Sequence, residues 1–386
     1  MSRCEAAPVL WKGRRAFRLS NSRIEITVLL GGGHIADLRM CGSPYNTLFE
    51  SPWQTIEPYE FSTQRHGAHY GDGAVGRLLS GYTGHALVLG YFGMPTAEEA
   101  ARGLPLHGEA VAAEWEVLGS SANDSQASLF LQVQLPTYRM CTQRTLHLSH
   151  GASSVRVEER VTNLGNRHLD FQWVEHAAFG EPMFANGESR LSLSAKQGRT
   201  WPLGYEGGEL LAADRDFQWP CAPPPVSGGG LDLSLAFQRP RTGFVAGLLT
   251  DSNRSSGFIA VYNRRLALAA GYTFDRRHFP WIALWEENQA REYSPWNGVT
   301  RARGVEFGTS PMPLGLENAR QVRTLFDTPV FTTLEAGATS ATAYHLYITV
   351  VPRGWSGIED VEPHGQSLTL RSADNQVFEI PTSSAQ

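Results

Sequence analysis

The chain of 386 residues is longer than most single domains, yet within reach of one long all-β unit. Its 41% hydrophobic and 10% aromatic content supplies a sizeable core, while a net charge of −5 with 18% charged residues leaves no basic footprint for nucleic acid or an anionic membrane surface. No stretch reaches the length of a membrane span, and Met1–Arg15 is charged where a secretory leader needs an apolar run; the expectation is a cytoplasmic protein with neither membrane nor nucleic acid as partner.

Glycine (39) and proline (22) punctuate short apolar runs along the chain, the signature of a mostly-β protein. Arg23–Leu30 reads as a strand, and Gly31-Gly32-Gly33-His34 as a turn, because no helix follows to make it a phosphate cradle. A polar, aromatic segment holding Trp53, Glu57, Tyr59, Arg65, His66, His69, Tyr70 and Asp72 comes next. Gly67, Gly71 and Gly73 predict a loop there, which would not align His66, His69 and Asp72 as metal ligands. Thr96–Arg102 predicts a short helix capped by Thr96 and stopped by Gly103. In Leu104-Pro105-Leu106-His107-Gly108, His107 sits between a proline turn and a glycine that leaves close access.

Ser128–Gln134, Thr145–Leu148 and Val155–Val161 predict strands, the last by its period-two pattern. After the turn Asn163–Asn166, the run Leu169–Val174 delivers Glu175 and His176 at a strand end beside Ala177 and Ala178. Phe244–Thr250 and Gly257–Tyr262 pair across Asp251-Ser252-Asn253. Trp281 and Trp285, four apart in a strand, share one face. They are either core or a stacking wall for a sugar, with Glu287 or Asn288 binding hydroxyls and Trp296 and Asn297 extending the wall. Ala343–Val350 predicts the last long strand, and the tail from about 372 is polar and short-stranded. Cys4, Cys41, Cys141 and Cys221 are too dispersed for a zinc site, and no fixed-period repeat marks a propeller or solenoid. A single domain over 1–386 is expected.

Three stretches resemble the aldose 1-epimerase, or galactose mutarotase-like, family. They are Leu104-Pro105-Leu106-His107-Gly108 with Trp115 soon after, Asn163 followed by Glu175-His176-Ala177-Ala178-Phe179, and Arg303-Gly304-Val305-Glu306-Phe307-Gly308-Thr309-Ser310-Pro311. The order histidine, histidine, glutamate is that of the family. Two departures mark an atypical member. The family's Asn-Arg pair ahead of the first histidine is replaced by Gly81-Tyr82-Thr83-Gly84-His85-Ala86, and Phe307-Gly308 stands where many members have proline and glutamine.

The resemblance implies a large antiparallel β-sandwich and interconversion of sugar anomers through ring opening, with no metal or organic cofactor. It implies Glu306 as base at the anomeric hydroxyl, His176 as acid at the ring oxygen, and His107 as a further stabiliser. The expected partner is a small carbohydrate, contacted by Trp285, Trp281, Glu287, Asn288, His85, Glu175 and Trp53. Sugar binding without turnover and another carbohydrate reaction, such as lyase, isomerase or hexose-6-phosphate chemistry, remain open on residue types alone. Alternation puts Arg301 and Arg303 on the face opposite Glu306, which favours an unphosphorylated sugar over a phosphate ester.

Overall fold

In a computed structural model describing residues 3–226 and 228–384, the alternating runs become strands of two large antiparallel sheets. The smaller, 8-stranded sheet runs from Ser189–Leu193 through Ser256–Asn263, Leu268–Asp275, Thr339–Val350, Ser154–Asn163, Met140–Ser149 and Gln126–Leu135 to Glu116–Ala122. The strand Ser154–Asn163 shows why: Val155, Val157, Glu159 and Val161 are fully buried, while Arg156, Glu158 and Arg160 reach the other face. At the centre of the larger, 14-stranded sheet, His85–Gly90, Leu169–Phe179, Arg301–Gly308, Trp281–Asn288 and Thr242–Thr250 lie side by side.

The main core fills the space between the sheets. Leu87, Trp173, Ile282 and Phe307 of the larger sheet pack with Leu129, Leu146, Val157 and Ile348 of the smaller one. Burying one such side chain is worth about 1.5–3 kcal/mol, so the inner face fixes the register of the central strands. Their outer face carries a second, smaller cluster that includes Ala86, Val88, Val174, Ala178, Ala283 and Ala302. Those small residues leave room above the sheet.

One expectation is corrected. The segment read as a loop around His66 is a helix, Thr63–Tyr70, because the Ser62 hydroxyl caps it by accepting the Arg65 N–H and Gly71, at φ 85°, ends it. Gly67 sits inside it at the usual cost of about 1 kcal/mol against alanine. The helix gathers no metal site: His66 Nδ1 accepts the Ser62 N–H at 3.1 Å, and among the described residues no three potential ligands converge.

The polar tail from about 372 carries one short strand. Val377–Pro381 joins Ile358–His364 and Ser367–Ser372 in a small sheet whose Ile358, Val361, Leu368 and Ile380 pack on Phe258, Tyr262 and Tyr347. Beyond it, the Ser383 hydroxyl donates to the Ser154 carbonyl at 2.5 Å. The short helix Ala97–Ala101 forms where expected, with Thr96 and Glu99 capping each other reciprocally. No helix among the described residues is long and apolar enough to cross a membrane.

Candidate active site

Strand alternation builds the site. On Leu169–Phe179, Trp173, Glu175 and Ala177 face the core, so His176 faces out. The register that sets Glu175 opposite Phe307 and Ala178 opposite Gly304 brings His176 against Glu306 on the neighbouring strand. His176 Nε2 lies 3.3 Å from Glu306 Oε1. Glu306 stands between Gly304 and Gly308 on its own face, and the spacing is a requirement: a Cβ at Gly304 would strike Glu306 Oε1, and one at Gly308 would strike Trp173 and Val174.

His107 comes from a loop clamped to the outer edge of this face. Its own N–H donates to the Gly93 carbonyl at 2.9 Å, and its Nδ1 accepts the Gly93 N–H at 3.1 Å. Nδ1 is thereby occupied as an acceptor, so in the neutral ring Nε2 carries the proton and is the donor. The clamp holds His107 at φ 71°, and Gly108 follows at φ 85° because a Cβ would collide with the Leu89 carbonyl. The imidazoles of His107 and His176 are 5.1 Å apart, centroid to centroid. On its other side His176 meets Tyr82, whose hydroxyl is 3.3 Å from Nδ1 and whose ring stands edge-on at 5.5 Å.

His107, His176, Glu306, Tyr82 and Trp285 line one cavity of about 380 Å³ above the sheet. Burial drives the electrostatics. Glu306 is 2% exposed, and desolvation holds its carboxyl well above the usual range. Desolvation likewise lowers His176 to about 4. It pushes His107 well below its usual value, assisted by His176. The Tyr82 phenol is raised by burial and by Glu306. Raising Glu306 and lowering His176 both favour a proton on the carboxyl over one on the imidazole, across two facing atoms, an arrangement suited to passing it on.

The far wall is aromatic and rigid. The Trp285 indole donates to Tyr205 Oη at 2.7 Å, and Tyr205 donates to Glu287 Oε2 at 3.0 Å. Arg291 lies 4.8 Å from the Tyr205 ring and 4.9 Å from the Trp296 ring, and its Nη1 donates to Glu287 at 3.0 Å. Glu287, fully buried, also accepts the N–H groups of Ala290 and Arg291. It orders the wall from beneath and does not line the cavity.

The remaining expected contacts lie elsewhere. His85 and Glu175 point into the interior between the sheets, where His85 Nε2 meets Glu175 Oε2 at 2.8 Å. Alternation alone forbids Glu175 and His176 from sharing a site. Asn288 is excluded from Trp285's face for the same reason, and its amide donates to the Arg239 carbonyl at 2.6 Å. Trp281 does share that face but is covered by Ala319 and Val330 and donates to the Pro329 carbonyl at 2.7 Å. Trp53 sits behind Trp296, at 5.1 Å, with its indole on the Leu79 carbonyl.

Tyr205, Arg291 and Tyr82 were not singled out as contacts. Only Tyr82 left a signal, as the residue standing in the segment that lacks the Asn-Arg pair.

No protein-family model matches the sequence, and no curated protein matches it. Solved structures do. A provisionally described aldose 1-epimerase from Klebsiella pneumoniae subsp. pneumoniae MGH 78578 superposes with a TM-score of 0.60 at 17% identity, over 87% of this chain and 79% of that one. A galactose mutarotase-like protein from Clostridium acetobutylicum gives 0.58 at 13% identity, over 90% and 99%. A galactose mutarotase related enzyme from Lactobacillus acidophilus gives 0.54 at 12% identity, over 88% and 99%. At such identities the likeness is one of architecture, and the architecture is plain: this chain has the galactose mutarotase-like fold.

Proposed function

We propose that the protein is an aldose 1-epimerase, interconverting the anomers of a free sugar by acid–base ring opening. The observation that carries the reading is the convergence of Glu306, His176 and His107 on one cavity, with the carboxyl and imidazole 3.3 Å apart. Glu306, as carboxylate, takes the proton of the anomeric hydroxyl; the electron pair released forms the carbonyl, the bond from the anomeric carbon to the ring oxygen breaks, and that oxygen takes a proton from His176 Nε2. His107 Nε2–H steadies the charge growing on the ring oxygen. Rotation about the adjacent carbon–carbon bond turns the other face of the carbonyl, and the same groups act in reverse. Tyr82 fixes the His176 ring from behind, through Nδ1.

Polarimetry of freshly dissolved α-glucose and α-galactose tests this. Enzyme is expected to accelerate the approach to rotational equilibrium, and rates equal to the buffer blank would remove the reading for those sugars. The pH dependence follows from the single shared proton. A second proton, taken up as pH falls through about 4, removes the base, and loss of the shared proton above the raised Glu306 range removes the acid. A broad bell centred between those limits is expected, in contrast to the ordinary histidine limb near pH 6.5.

The sugar is unphosphorylated. Among the described residues Arg291 is the arginine that lines the cavity, and its charge already faces Glu287, with Glu206 3.6 Å from its Nε. A dianion needs more than one fixed positive partner. Arg303 lies on the inner face, bonded to Glu286 and the Leu233 carbonyl, and neither Arg65 nor Arg77 lines the cavity. Glucose 6-phosphate is expected to compete at least about tenfold more weakly than glucose, a difference of about 1.4 kcal/mol. Tighter competition by the phosphate, lost in Arg291→Gln, would reverse this assignment.

A further inference from the structure

We propose that the substrate is a reducing sugar whose hydroxyls, apart from the anomeric one, are largely replaced by ethers or by hydrogen, that is, an O-alkylated or deoxy sugar. The proposal rests on the reading above for the anomeric end of the ligand, which meets Glu306, His176 and His107. What the cavity offers the rest of the ring is mostly carbon. Among the described residues no Asn, Asp, Gln, Ser, Thr or Lys side chain lines it. Val75, Leu106, Trp201, Val245, Trp285 and Pro313 line it and are only half-buried, so the wall they present is apolar. Leu78, Phe92, Ala283 and Leu284, all buried, close the lining with further apolar surface.

Most of the polar groups that line the cavity are already engaged. The Tyr82 hydroxyl lies against His176 Nδ1, and His107 Nδ1 accepts the Gly93 N–H. The Trp285 indole donates to Tyr205, Tyr205 donates to the buried Glu287, and the Tyr293 hydroxyl donates to Glu206 Oε2 at 2.7 Å. Arg291 donates to Glu287 and lies 3.6 Å from Glu206. What is left consists chiefly of donors: the indole N–H groups of Trp201 and Trp296, which meet no hydrogen-bond partner among the described residues, and the remaining N–H groups of Arg291. Carboxylate acceptors are scarce. Glu306 is occupied with the anomeric proton, and Glu206 stands at the rim with 64% of its side chain exposed. A sugar hydroxyl brings a proton that needs an acceptor, and burying it without one weakens binding. An ether oxygen brings no proton and accepts from an indole or a guanidinium, while a C–H in its place asks for no partner. Both also suit the faces of Tyr205, Trp285 and Trp296, which Glu287 and Arg291 hold in place.

The test measures anomer exchange by NMR, each sugar against its own buffer blank, and binding by intrinsic tryptophan fluorescence. The panel pairs glucose with tetra-O-methylglucose, in which the anomeric hydroxyl alone is free, and galactose with its 6-deoxy counterpart, D-fucose. The kcat/KM for the tetra-O-methyl sugar is expected to exceed that for glucose by at least about tenfold, with D-fucose above galactose and binding in the same order. Val245→Thr and, at a lining position 60% exposed, Leu203→Gln each add a polar group to the wall and are expected to narrow that preference. Equal or better use of the fully hydroxylated sugars, or a preference unchanged in both variants, overturns the proposal. Exchange of glucose with no preference for its ether sinks the proposal and leaves the epimerase reading standing. Tighter binding of the ether with no exchange of any sugar keeps the ligand class and removes the epimerase reading.

Discussion

Replacing Glu306 by glutamine is expected to slow enzyme-catalysed anomer exchange by about 10²–10⁴-fold, the usual weight of a positioned acid–base group. The substitution keeps the shape of the side chain between Gly304 and Gly308, where anything larger on the neighbouring positions would collide. It removes the carboxyl that lies 3.3 Å from His176 Nε2. Because Glu306 is buried with its pKa raised, the amide resembles the protonated acid, so folding and sugar binding should survive. NMR exchange rates beside a binding titration separate the two effects. A variant that binds sugar and exchanges it at the wild-type rate would remove Glu306 from the chemistry.

Arg144→Met is expected to destabilise the fold by about 3–5 kcal/mol, the cost of leaving a buried ionic group without its partner. Arg144 is fully buried between the sheets, with Nε 2.5 Å from Glu159, Nη1 on the Gly33 carbonyl at 2.6 Å and Nη2 3.6 Å from Glu175. Glu175 collects further donors from His85, the Trp173 indole and Tyr344. One guanidinium faces two carboxyls. Burial, reinforced by Glu175 and opposed by Arg144, raises Glu159 to about 8.

The sign follows from that shift. The folded state holds this proton more tightly than the unfolded chain, so the stability it confers is complete below the ordinary carboxyl range and is lost as pH rises toward about 8. Denaturant midpoints should therefore fall over that interval in the wild type and flatten in Glu159→Gln. A small cost for Arg144→Met at neutral pH would show that the cluster is not coupled as its geometry indicates.

Period-two alternation made much of this legible in advance. It marked Val155–Val161 and the shared face of Trp281 and Trp285, and the motifs around His107, His176 and Glu306 named the three groups that the fold brings to one cavity. Alternation also sets an exclusion: neighbours in a strand cannot both reach one site, which separates Glu175 from His176 and Asn288 from Glu287. What covers a face was not legible. Trp281 is hidden because the segment holding Ala319 and Val330 folds over it, a long-range contact with no local signature. Tyr205 and Arg291 arrive from separate loops and are brought together by Glu287, whose role as a buried anchor depends on packing that no single stretch of sequence displays.

The strand Leu169–Phe179 turns its odd-numbered residues from Trp173 to Ala177 to the interior and His176 to the cavity, so its length is as consequential as its composition. A deletion or insertion of one residue between Leu169 and Val174 would exchange the two sides, sending an imidazole toward Arg144 and a carboxylate toward Glu306. Two adjacent negative groups would then meet where one proton now passes, and the interior cluster would lose the acceptor of its three donors. The place for a change in length is residues 164–168, between the paired strands; within the strand, even a single added residue changes both the stability and the chemistry.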